Sequence, residues 1–202
     1  MRHKIAAYAF VMTVLIASNG SAAVVYSGIR DVAVPLTFDG IYLNIVTSAT
    51  SSGEPGSWDT GPWVNPFFGG TQIATSDHFR SVITGTDQIV NLAHGTAING
   101  SNIFAAGASG STTHVGSGID QFQVGSLGYL GFQMEASPGG TTLYGWMSLT
   151  VNNAGFGFIH DWAYEDTGAE LLVGLLTIPE PSRAMLTLLG SMLVALRRRR
   201  TA

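Results

Sequence analysis

Four histidines, His78, His94, His114 and His160, are spread over the central part of this 202-residue sequence, and two adjoin an aspartate as Asp77-His78 and His160-Asp161. An imidazole beside a carboxylate is the raw material of a general base or a metal site. On a strand, however, neighbouring side chains point to opposite faces, so neither pair is expected to converge on one proton or one ion. No His-x-His, His-Glu-x-x-His or Gly-x-Ser-x-Gly pattern occurs to propose a zinc site or a serine hydrolase locally. Carboxylates cluster more densely: Asp161, Glu165 and Asp166, with Glu170 beyond Thr167-Gly168, offer the hard oxygen ligands that calcium takes. No Asp-x-Asp-x-Asp-Gly loop accompanies them, and an acid-rich edge also serves to stop a sheet from pairing with a neighbour. Glu135 with Asp161 or Glu165 is the pair to test for a glycosidase, which needs two acids about 5 to 10 Å apart in a cleft. Trp58 and Trp63, in a Gly- and Pro-rich stretch, are candidate sugar contacts, whereas Trp146 and Trp162 sit in alternating segments and are expected in the core.

The elements that must position these groups read as strands. Apolar residues alternate or run in short bursts, and Gly, Ser, Thr and Asn interrupt them every eight to twelve positions. Val24 to Ile29, Val32 to Phe38 and Ile41 to Thr47 form a first group, with Asp39-Gly40 predicting a tight hairpin between the last two and Pro35 marking an edge or a bulge. Ser48 to Gly70 lacks a period and predicts a long loop. Short strands follow at 72–75, 82–83, 89–91, 103–104 and 121–124. The clearest pair is Gly128 to Ala136 and Thr142 to Val151, joined by the turn-forming Ser137-Pro138-Gly139-Gly140. Phe156 to Tyr164 and Leu171 to Leu176 complete the set. With no amphipathic helix among them, the expectation is an all-β, antiparallel two-sheet sandwich or jelly roll.

Charge excludes several partners. Arg30 and Arg80 are the only basic residues between Val24 and Ser182, against all thirteen acidic residues, a formal charge of −11 for that segment where the whole chain has −4. Such a surface repels nucleic-acid phosphates and anionic lipids, leaving cations, neutral glycans and basic proteins as partners. Cysteine is absent, so the body has no disulfide and no thiolate, and about 155 residues must hold by their core as one domain.

Both ends read as addresses. Arg2 and Lys4 precede an apolar stretch from Ile5 to Ala17, and Ser21, Ala22 and Ala23 supply the small residues of a secretory signal peptide over 1–23, cut after Ala23. At the other end come Pro179-Glu180-Pro181-Ser182, an apolar run from Ala184 to Leu196 and four arginines, Arg197, Arg198, Arg199 and Arg200. Guanidiniums that never lose their charge hold that end on the cytoplasmic side while the rest is exported. Pro179 and Pro181 keep the junction extended and open to a protease. Thirteen apolar residues span about 20 Å as a helix, short of the roughly 30 Å hydrocarbon core, which suits a transient transmembrane intermediate better than a permanent anchor.

The ordered tetrad, apolar segment and basic cluster over 178–202 resemble the PEP-CTERM sorting signal of bacteria with an outer membrane. More weakly, Gly145 to Val151 and Ile159 to Glu165 are similar to a stretch seen upstream of that signal in many such proteins. The resemblance implies export through the Sec translocon, signal-peptidase cleavage, transient insertion in the inner membrane, and cutting by exosortase near Pro-Glu-Pro. Delivery to the cell surface or an exopolysaccharide matrix follows. The expectation is therefore a body over 24–177 with a non-enzymatic structural or adhesive role and no required cofactor, calcium being the candidate ion. The alternatives are a glycan-binding module and, behind it, a polysaccharide-active hydrolase.

Overall fold

The computed structural model describes residues 23–35, 37–68, 72–84, 88–106, 121–152 and 157–176, and side chains within these except those of Phe67, Phe68 and Gln72. The signal segment before Ala23, the sorting segment and His114 lie outside the described residues.

The described chain is all-β and antiparallel, consistent with a β-sandwich. Its strands are β1 (Val24–Tyr26), β2 (Val32–Ala33), β3 (Tyr42–Asn44), β4 (Thr50–Ser51), β5 (Trp63–Phe68), β6 (Gln72–Thr75) and β7 (Phe79–Val82). They continue as β8 (Ala97–Ile98), β9 (Phe104–Ala106), β10 (Leu127–Glu135), β11 (Thr142–Val151), β12 (Gly157–Glu165) and β13 (Leu171–Leu172), with a single 3-10 turn at Trp58–Thr60. A seven-stranded sheet runs β1-β12-β11-β10-β7-β9, with β2 also paired to β12; a four-stranded sheet runs β4-β3-β5-β6; β8 and β13 form a small third sheet.

The long hairpin is the spine of the larger sheet. β10 and β11 pair over nine positions, from Leu127 against Thr150 to Glu135 against Thr142, and the Ser137 carbonyl accepts from Gly140 N to close the turn. Along β11, Leu143, Met147, Leu149 and Val151 face one way, while the alternate positions Tyr144 and Trp146 pack in a second cluster on the other side. Such period-two alternation lets one strand serve two faces.

On the first face, Phe79, Phe132, Met147 and Trp162 pack with Leu43, Ile45, Val64 and Ile73 around the four-stranded sheet, all buried. Trp162 is 2% exposed, and its indole N–H donates to the Ile45 carbonyl at 3.0 Å, joining residues 117 positions apart. Gly145 makes the same packing feasible, since a Cβ there would lie 2.3 Å from the Phe132 ring and 2.6 Å from the Ala163 carbonyl oxygen. On the second face, Trp146 and Ala163 pack with Val82, Leu92, Ile98, Leu171 and Val173, so the small β8–β13 sheet covers part of it.

Two sequence expectations fail here for physical reasons. Asp39-Gly40 does not close a hairpin between the second and third strands. β2 pairs with β12, whereas β3 pairs with β4 and β5. The turn is set one residue earlier, with Gly40 N donating to the Thr37 carbonyl, and it carries the chain from one sheet to the other. Ser48 to Gly70 is not one loop: it holds β4, the 3-10 turn and β5, a strand paired on both sides. Pro66 disguised β5, and the structure accommodates it where the β5–β6 register shifts between Asn65 and Phe68.

Candidate functional site

β11 and β12 pair regularly until Ser148 opposite Asp161, after which Leu149 faces Ile159. His160 is therefore an extra residue in β12, a β-bulge. A bulge breaks the alternation that would send His160 and Asp161 to opposite faces, and both side chains line one cleft of about 320 Å³. The two side chains thus share a face, contrary to strict alternation, but they take separate partners. The cleft lies on the second face of the large sheet, with the buried Trp146 as its floor and Tyr129 as its aromatic wall, Ser148 beside Asp161, and Ile29, Leu127 and Gly174 at its edges.

Hydrogen bonds fix the polar groups. Asp161 Oδ2 accepts from the Tyr26 hydroxyl at 2.7 Å, and its Oδ1 accepts from the Ser148 hydroxyl. The tie to the carboxylate pushes the Tyr26 phenol up to about 12 from 10.0, with burial and the negative charge of Asp161 adding to it. Burial, and then the charge of Asp161, also raise Tyr129. His160 Nδ1 bonds Asp31 Oδ1 at 2.6 Å and its Nε2 bonds Thr150 Oγ1 at 3.2 Å. With the carboxylate holding the proton on Nδ1, Nε2 is the acceptor of the Thr150 hydroxyl. Phe158 stacks on the imidazole, its centroid 6.1 Å away. The bulge carbonyl of His160 accepts from both Arg30 N and Asp31 N, which anchors the β1–β2 connection that brings Asp31 in. Asp31 takes φ 46, a left-handed value that aspartate tolerates better than most side chains.

The Asp31–His160–Thr150 string has the polarity of a nucleophile triad. Acyl transfer also requires donors aimed at a developing oxyanion. Thr150 lies in a strand paired on both sides, opposite Leu127 and Phe158, where main-chain N–H groups are committed to the ladder.

The other expected site residues are dispersed. Asp161, Glu165 and Asp166 do not form a common cage. Glu165, 2% exposed, accepts from Thr167 N, Thr167 Oγ1 and Ala169 N, while Asp166 Oδ1 accepts from Ala23 N at 3.0 Å. Among the described residues no group of three or more His, Asp or Glu is placed to hold a metal ion. Glu135 stands six residues along β10 from Tyr129, whose cross-strand row contains Ser148 and Asp161. That offset is roughly 20 Å along the strand, beyond the glycosidase range. Instead Glu135 bonds His78 Nδ1 at 3.4 Å and Gly139 N at 3.1 Å, tying two turns together. Trp63 is 6% exposed. Trp58 is half-buried with its ring edge-to-face on Tyr42 at 5.3 Å, so the two do not form an open stacking patch. Ala23, at the expected cut, is exposed.

Sequence reasoning passed over Tyr26, Asp31, Ser148 and Thr150. A usable signal was present: Tyr144, Trp146, Ser148 and Thr150 occupy alternate positions of β11 and mark a face that is aromatic and hydroxylic, opposite the aliphatic one. Comparison of the chain with protein-family models, with curated proteins and with solved structures finds no match in any of the three.

Proposed function

We propose that this chain is an exported, non-enzymatic protein of the cell surface or extracellular matrix, sorted by exosortase, with its β body serving a structural or adhesive role. The observation that carries this reading is the order at the C-terminal end: Pro179-Glu180-Pro181-Ser182, then the apolar segment Ala184 to Leu196, then Arg197 to Arg200. Each part supplies a step: an extended cleavage site, a short membrane segment and a charge barrier to full translocation. The N-terminal segment supplies entry to the Sec translocon and a signal-peptidase site at Ala23; β1 opens at Val24, directly after it. In this reading the seven- and four-stranded sheets are the two layers of a sandwich, and the acidic, lysine-free surface suits an environment of neutral polysaccharide.

Intact mass and terminal peptide mapping of the protein from its host's surface fraction test the proposal. A product running from Val24 to between Pro179 and Ser182 is expected. A surface protein that retains Arg197 to Arg200 overturns it.

A further inference from the structure

We propose that the cleft on the second face of the seven-stranded sheet binds a neutral saccharide, with Tyr129 offering ring surface and Asp161 and Ser148 accepting hydrogen bonds from its hydroxyl groups. The inference does not rest on the sorting reading, since the cleft belongs to the body alone.

Three features favour a sugar. The cleft, at about 320 Å³, lies at the lower end of the size range of small-molecule sites. Its open polar sites are acceptors. Each Asp161 oxygen receives one hydroxyl donor and keeps a lone pair, and Ser148, its proton given to Asp161, keeps acceptor lone pairs, while both His160 nitrogens are engaged by Asp31 and Thr150. Vicinal sugar hydroxyls, which can each donate, match such a row of acceptors. Tyr129, Ser148 and Asp161 stand directly opposite one another on three adjacent strands, a row about 10 Å long that presents ring and polar groups side by side. Finally, Ile29 is 77% exposed and Leu127 52% exposed at the edge, apolar surface of the kind that covers the C–H face of a pyranose.

An organic cation is the competing occupant, because the cleft combines aromatic rings with a carboxylate. Against it, Tyr26 and Ser148 already direct two hydroxyl dipoles at Asp161, so its charge is not held bare for an ammonium. Trp146 is only 3% exposed and forms the floor, sealed edge-to-face by Tyr129 at 5.8 Å.

The test uses the full chain in a polyoxyethylene detergent, which carries no sugar headgroup. The probes are cellobiose, maltose and chitobiose, with tetramethylammonium chloride as the cation, and the readout is the shift of the four tryptophan indole N–H resonances. Disaccharide binding is expected to move the Trp146 resonance. Tyr129→Ala and Asp161→Ala should each raise Kd about tenfold or more, the loss of one ring or charged hydrogen-bond contact. Asp161→Asn, which keeps an acceptor and the fold, should change it less than about threefold. Trp58→Ala, in the 3-10 turn beside the four-stranded sheet, should leave it unchanged. No response to any of the sugars overturns the proposal, as does sugar binding lost in Trp58→Ala but kept in Tyr129→Ala. Tetramethylammonium binding that Asp161→Asn abolishes, without sugar binding, overturns it in favour of a cation site.

Discussion

The two faces of the seven-stranded sheet are built from the same three long strands but end in different chemistry. On the first, Trp162 is sealed against the four-stranded sheet and its indole N–H is spent on Ile45. On the second, the equally buried Trp146 has an indole N–H with no hydrogen-bond partner, lying beneath Tyr26 and Tyr129. Beside it, Ser148 and Asp161 bring polar groups to a surface that the β8–β13 sheet covers only in part. The difference teaches where closure and access reside: one face joins distant parts of the chain, the other lines an open cleft with aromatic and polar side chains.

That contrast can be broken most directly at the two tryptophans. Trp162→Ala should be the most damaging substitution, at about 3–5 kcal/mol in urea unfolding, because it removes a filled volume between the sheets. A sharper version replaces each tryptophan by phenylalanine. Trp162→Phe should cost about 1–3 kcal/mol more than Trp146→Phe, since only the former strands a buried carbonyl. Equal losses would mean that the intersheet hydrogen bond contributes nothing specific.

Gly145→Ala should come next, at about 1–3 kcal/mol by thermal unfolding, because the new methyl meets the Phe132 ring and a backbone oxygen that cannot swing away. The smallest effect belongs to the cleft face. Tyr26→Phe should cost about 1 kcal/mol or less near neutrality, as an exposed hydroxyl exchanges its protein partner for nothing that water cannot supply. Its pH dependence is distinctive. The folded phenol titrates near 12 against 10.0 for a free one, so the neutral form is favoured by folding. Its contribution is complete below pH 10 and fades as pH rises towards about 12. The stability gap between wild type and Tyr26→Phe should therefore close over that alkaline range; a gap independent of pH would contradict the Tyr26–Asp161 bond.

How far the sequence discloses this varies by region. The hairpin of β10 and β11 is legible almost to the residue, because its alternation is regular and Ser137-Pro138-Gly139-Gly140 is turn chemistry at a real turn. β5 is hidden because Trp63-Val64-Asn65-Pro66-Phe67-Phe68 breaks the period-two pattern at its own bulge. The Asp39-Gly40 junction misleads because local turn preference says nothing about which sheet the next strand joins. The cleft is the least legible part. Tyr26 is brought to Asp161 over 135 positions and Asp31 to His160 over 129 by pairing that no local pattern encodes, and the bulge that turns His160 to this face leaves no mark in composition.

That bulge also separates two kinds of inheritance within one strand. Residues 157–159 and 161–165 keep their facing directions whether or not position 160 exists, because the ladder on either side resumes its own register. Removing His160 would sacrifice its two carbonyl contacts to the β1–β2 connection and the grip on Asp31, yet would leave Ile159 and Trp162 facing the core as before. The polar groups of the cleft thus rest on one extra residue, whose loss or replacement would leave the core-facing side of β12 in place.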